Sequence, residues 1–215
     1  LKRITLTFDN GPDENVTPAV LDLLRAKNLK AHFFVLGKFL GTPKLRALVE
    51  RARDEGHVVS NHSFTHEIPL GNDPRADAVE KEIVATEKLL GEITHGEKRF
   101  RPFGGGGKLG PHLLSERALT YLTENHYSCL LWNSVPRDWI DQKKWCARAL
   151  ADCETREHTV LVLHDIPNAC LEKLDEFLTT ALARNFSFVL ELPDECVPIR
   201  DGKIVGDLSA LIAAG

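Results

Sequence analysis

The sequence predicts an α/β fold of about seven mostly parallel strands, curled into a distorted (β/α) barrel. Three observations predict it. Short β-rich runs alternate with longer amphipathic ones along the whole chain. Several strand candidates are apolar throughout rather than alternating, the pattern of strands buried on both faces. No long Pro- or Ser-rich linker interrupts the alternation, so residues 1–215 are expected to form one domain.

Each element carries its own signal. The strand candidates are Arg3–Asp9, Ala31–Leu36, His57–His62, Arg99–Phe103, Cys129–Ser134, Thr159–His164 and Phe186–Leu192. Thr17-Pro18 reads as the N-cap and first residue of the first helix, with Val20, Leu21 and Leu24 along one face. Further helix-like stretches are Pro43–Glu55, Pro74–Leu90, Pro111–Asn125, Gln142–Glu154 and Ala169–Arg184. After Pro193, Val197–Val205 reads as a small hairpin turning at Asp201-Gly202.

Composition narrows the functional class. Of 215 residues, 43% are hydrophobic and 27% charged, an ordinary globular balance. A net charge of −4 argues against a nucleic-acid partner, which calls for a basic excess on one face. No apolar run approaches the roughly 18 residues of a membrane span. Ile4-Thr5-Leu6-Thr7-Phe8 is too short for the core of a secretion signal, although a chain without Met that begins at Leu1 leaves room for an upstream segment. Among Cys129, Cys146, Cys153, Cys170 and Cys196 there is no C-x-x-C pair, which disfavours a zinc knuckle or thioredoxin-type site. Cys146 and Cys153 on one helix would lie about 10.5 Å apart, too far for a disulfide. The reading is buried free thiols, a reducing compartment and a cytoplasmic location.

The polar residues that need explaining follow the strands, where the active sites of such barrels sit. They are Asp9-Asn10-Gly11-Pro12, His62-Ser63-Phe64-Thr65-His66, Arg101-Pro102-Phe103-Gly104, Asp138-Trp139 and His164-Asp165. The i, i+4 spacing of His62 and His66 puts two imidazoles on one side of a helical turn, as a divalent metal requires of two nitrogen ligands. Asp9 or Asn10 would supply a third. A zinc site with three protein ligands keeps a position for water and lowers its pKa towards about 7. Blander readings exist: two unrelated histidines, an Asx-turn for Asp9, a core histidine for His164, a surface salt bridge for Arg101. A carboxylate such as Asp138 beside His164 would hold its proton and make it a general acid. Gly105–Gly110 fits G-x-G-x-x-G, but no acidic residue follows at the end of a second strand. Lys108 precedes Leu109 rather than Ser or Thr, so the P-loop pattern fails as well. The glycines read instead as a flexible loop at the edge of a substrate site.

Taken in order, these clusters resemble the polysaccharide deacetylase family, the NodB-homology domain of family 4 carbohydrate esterases. Thr7-Phe8-Asp9-Asn10-Gly11-Pro12 with Thr17-Pro18 is similar to T-F-D-D-G-P-x4-T-P. His62–His66 matches H-[ST]-x-x-H, Arg101–Gly104 resembles a shortened R-P-P-Y-G, Arg137-Asp138-Trp139 the end of D-x-x-D-W, and Leu161–Asp165 matches L-x-L-H-D. The resemblance implies a distorted barrel, a divalent metal, commonly zinc or cobalt, and an N-acetylated glycan as substrate. By position it makes Asp9 the base and His164 the acid, with Asp138 tuning His164 and Arg101 holding Asp9. His62, His66 and Asn10 would face the metal. A backbone N–H near Phe103 would meet the oxyanion, and Trp139 and Leu163 would line the acetyl pocket. Two departures stand out: the family's ligating second Asp is Asn10, and the first Asp of D-x-x-D-W is Val135. An amide oxygen is a poorer donor than a carboxylate. Three functions follow: an active N-deacetylase, a weakened relative that only binds glycan, or a barrel hydrolase of a small cyclic amide or ureide. Retention of Asp9 and His164 favours the first.

Overall fold

The computed structural model describes residues 1–213. Seven parallel strands form the body of one sheet: β1 (Arg3–Asp9), β2 (His32–Val35), β3 (Val58–Asn61), β4 (Arg99–Phe100), β5 (Ser128–Cys129), β6 (His158–His164) and β7 (Ser187–Phe188). The tail adds β8 (Ile199–Arg200) and β9 (Lys203–Ile204), the hairpin around Asp201-Gly202 that the sequence indicates. The order is β6-β1-β2-β3-β4-β5-β8-β9, with β7 beside the start of β1. The tail is antiparallel, so the sheet is mixed rather than wholly parallel. It curls into a half-barrel, and a single bridge between Ser134 and Leu161 ties the stretch after β5 to β6.

Strand alternation divides the molecule into layers. Ile4, Leu6 and Phe8 of β1, with Leu161 and Leu163 of β6, face the helices. There they pack with Val20, Leu21 and Leu24 of α1 (Val16–Ala26). The other flanking helices are α2 (Pro43–Asp54), α5 (Trp145–Thr155) and α6 (Leu171–Ala183). Full burial of each such Leu or Phe contributes about 1.5–3 kcal/mol. A second cluster joins Val160 and Val162 to Phe100, Leu131 and Trp132. It also takes in Ile83 and residues of α4 (Glu116–Glu124), while the short α3 (Ala85–Leu90) follows a π-helical turn at Glu80–Val84. All five cysteines are buried and free.

Several boundaries differ from the sequence reading. The first helix starts at Val16 rather than after Thr17, whose hydroxyl accepts the Asp13 N–H and donates to Asp165 Oδ2 at 2.6 Å. Residues 73–77 turn around the Asp73–Arg75 pair before regular structure begins. Ser115 Oγ caps the Ala118 N–H, so α4 starts four residues beyond His112. Asp141 Oδ1 accepts the N–H groups of Lys143 and Lys144, which delays α5 to Trp145.

Candidate active site

β1 ends in Thr7, Phe8 and Asp9, and the period of two turns Thr7 and Asp9 to the face opposite the helices. Arg101 lies just beyond β4, its side chain fully buried. Its Nη1 donates to Asp9 Oδ1 at 2.9 Å and to Thr7 Oγ1 at 2.7 Å, and its other donors reach the Leu130 and Leu131 carbonyls. The guanidinium stacks 3.7 Å from the centroid of Phe34. One Asp9 oxygen is thereby fixed, while Oδ2 lies 3.6 Å from His62 Nε2.

The His62–His66 segment is a loop, not the helical turn that its spacing suggested. Ser63 and His66 take left-handed φ values of 73° and 58°. The two rings nonetheless meet at 5.1 Å between centroids. Glu82, buried in the π-helical turn, holds the loop: Oε2 accepts the N–H groups of Phe64 and Thr65, and Oε1 accepts the Thr65 hydroxyl and Arg75. Asn61 Oδ1 accepts the Ser63 N–H. His62 Nδ1 lies 2.8 Å from the Arg101 carbonyl, which can only accept, so Nδ1 carries the proton and Nε2 its lone pair. Burial pushes the pKa of each histidine down to about 3. Both are therefore neutral at pH 7, the form that ligates metals.

β6 pairs with β1 in register, so His164 sits opposite Asp9. Asp138, itself fully buried, places both oxygens on this residue, one on its backbone N–H and one on Nδ1, each at 2.8 Å. Burial lowers the His164 pKa, but the hydrogen bond and charge of Asp138, with the charges of Asp9 and Asp165, outweigh it and the pKa rises. Trp139 packs edge-on against the ring. Asp165 lies beneath the Asn10–Pro12 loop, where a side chain on Gly11 would collide with its carboxyl. Burial there pushes its pKa up to about 7.

These groups surround a cavity of about 270 Å³ whose lining includes Asp9, Asn10, His62, His66 and His164. Phe103 and Trp139 line it too, with the His66 ring stacked on Phe103 at 3.8 Å. Leu163 does not: it belongs to the helix-facing core, and Val162 and Ile166 stand at the cavity instead. Val162 could have been found from the sequence, being two residues before His164 on the same face. Thr7 carries the same signal relative to Asp9. Glu82 carries none, since its partners lie 17 and 18 residues away.

The donor set suits a divalent metal. Asn10 Oδ1 is buried without a hydrogen-bond partner, and it lines the same cavity as the two neutral imidazoles. Among the described residues no three His, Cys, Asp or Glu side chains form a ligand group.

A family model described as polysaccharide deacetylase matches residues 1–128, which include Asp9, Asn10, His62, His66 and Arg101 but stop short of Asp138 and His164. A peptidoglycan-N-acetylglucosamine deacetylase of Bacillus cereus is 34% identical over 137 residues, 63% of this chain and 46% of that enzyme. The chain thus spans about half of that relative's length. Among solved structures, the Bc1960 peptidoglycan N-acetylglucosamine deacetylase gives a TM-score of 0.73 at 27% identity, covering 87% of this chain and 85% of that one. A family 4 acetyl xylan esterase from Clostridium thermocellum, in complex with a cobalt ion, gives 0.70 at 27% identity and covers 87% of each chain.

Proposed function

Since this chain belongs to the polysaccharide deacetylase family, we propose that it removes acetyl groups from an N-acetylated amino sugar in a glycan by hydrolysing the amide C–N bond. The observation that carries this reading is the convergence of a carboxylate, a carboxylate-paired histidine and two neutral histidines on one largely apolar cavity. A divalent metal, zinc first and cobalt second, would be held by His62, His66 and Asn10 and would supply a Lewis acid for the acetyl carbonyl.

The side chains divide the proton transfers between them. Asp9, held through Oδ1 by Arg101, uses Oδ2 to take a proton from the attacking water as its oxygen bonds to the carbonyl carbon. A backbone N–H near Phe103 would meet the oxyanion that forms. His164 donates its Nε2 proton to the sugar nitrogen as the C–N bond breaks, leaving acetate and a free amine. Asp138 keeps the ring charged until that step and fixes which nitrogen faces the cavity. Trp139, Val162 and Ile166 enclose the methyl and exclude water.

Asn10 favours one competing reading, a glycan-binding relative whose neutral third ligand no longer supports turnover. Acetate release from chitooligosaccharides, by protein purified without chelator and assayed with its metal content, separates the two. Release that chelator abolishes and zinc or cobalt restores is the expected result. Glycan binding with no acetate under either metal would establish the competitor.

A further inference from the structure

A second cavity, of about 260 Å³, adjoins the catalytic one and shares Gly106, Gly107, Trp132 and Val135 with it as a common wall. Two of its four residues, Gly106 and Gly107, carry no side chain. The Trp132 indole N–H fixes it by donating to the Gly107 carbonyl at 2.8 Å. A substrate seated in the catalytic cavity can therefore extend over Gly106 and Gly107 into the second.

The charge of this second cavity is one-sided. Lys108 and Arg137 line it, and no acidic residue does. Neither cation takes part in an ion pair among the described residues, in a chain whose net charge is −4. The acids nearest in the chain or to the lining are engaged elsewhere. Asp138 is bound to His164, Asp141 to Arg148 and two backbone N–H groups, and Glu195 to Asn133 Nδ2. Arg137 holds a left-handed φ of 58°, uncommon for a residue with a side chain, in the turn directly before Asp138. Val135, on the shared wall, stands where the D-x-x-D-W pattern has its first Asp. An acid there would set a negative charge between the two cations and the catalytic cavity.

We propose that this cavity is a subsite for an anionic substituent of the glycan, a carboxylate or a phosphate on the sugar being deacetylated or on its neighbour. Lys108 supplies a point charge and Arg137 a planar fork for paired oxygens. The inference rests on the deacetylase reading for the occupant of the first cavity, and it predicts that acid-bearing glycans are selected over neutral ones.

The test is calorimetric binding of three N-acetylglucosamine oligomers: one neutral, one carrying a carboxyalkyl ether, one carrying a phosphate ester. Wild type should prefer an acidic oligomer by about tenfold, the scale of one charge-assisted hydrogen bond. Which acidic oligomer is preferred identifies the substituent. In a folded Lys108→Gln/Arg137→Gln variant the acidic-to-neutral affinity ratio should fall towards one, and Val135→Asp should lower it independently. The wild-type preference should shrink as salt is raised. Equal wild-type affinity for all three, or a preference that survives in the double variant, overturns the subsite. Binding is read apart from turnover, so a protein that prefers the acidic oligomer yet releases no acetate loses the hydrolase reading alone. Acetate release without any preference loses the subsite alone.

Discussion

Arg101→Met keeps most of the volume of the side-chain stem and deletes a guanidinium buried at the centre of the half-barrel. Four hydrogen bonds go with it, to Asp9, Thr7 and the Leu130 and Leu131 carbonyls, together with the stacking on Phe34. Asp9, only 4% exposed, is left without its counter-charge. Removing one partner of a buried pair costs about 3–5 kcal/mol, because the other charge stays desolvated. At roughly 2–4 °C per kcal/mol for a chain of this size, Tm should fall by about 6–20 °C. Asp9→Asn/Arg101→Met removes both charges and should be more stable than the sum of the single losses, with a coupling of about 0.5–3 kcal/mol. Urea and thermal melts of the four proteins, in EDTA so that metal binding does not intrude, close the cycle. A single-variant loss under about 1 kcal/mol, or strict additivity, would refute the assignment of Asp9 as the charge that answers Arg101.

Other expectations follow from the same geometry. Asp138→Asn removes the largest of the contributions that raise the His164 pKa and leaves the burial that lowers it, so the alkaline limb of kcat/KM should move to lower pH; an unmoved limb removes Asp138 from the acid's control. The pair's contribution to stability is present below pH 6.5, the ordinary histidine value, and is lost as pH rises through the raised one. Asn10→Asp restores an anionic oxygen and should tighten zinc binding in a competition titration, whereas equal affinity would place position 10 away from the metal. Glu82→Gln should weaken zinc by roughly tenfold or more through the His62–His66 loop, and unchanged affinity would confine Glu82 to a structural role. Asp165 has its pKa raised from 3.8 to about 7, so its stabilising contribution is present below 3.8 and lost as pH rises through 7. Asp165→Asn should therefore gain stability relative to wild type between pH 4 and pH 8 in urea melts; parallel pH profiles would contradict the burial argument.

The parts of the fold that could be read from the sequence were those whose signal is local. β1 and β6 are seven-residue strands, almost wholly buried, that end in a polar group, so the strands and the residues at their ends were both visible. β4, β5 and β7 shrink to two residues each, because pairing there depends on neighbours that no local window contains. His62 and His66 were identifiable as a pair, but their spacing is equally that of a helix face and of a loop with two left-handed residues. What selects the loop is Glu82, well outside the motif. Thr17 shows the same limit: a hydroxyl before proline looks like a cap, and only the arrival of Asp165 gives it another partner. Leu163 was placed at the pocket by resemblance alone, against the period of two that turns Val162 towards it.

The pairing of β1 with β6, from Arg3 with His158 to Asp9 with His164, joins segments 155 residues apart in the sequence. Contacts so distant in the chain form late, after the cost of closing a long loop has been met. A nascent chain that has emerged as far as Asp138 already holds the carboxylate, the amide and both histidines, yet it has no acid and leaves one edge of β1 without its partner. A slip of one residue in that last docking would turn β6's cavity face towards the helices and bury His164 out of reach. The face on which His164 meets Asp9 is thus set by the register of that one pairing, so completion of the cavity should follow the docking of β6 rather than the gain of helix.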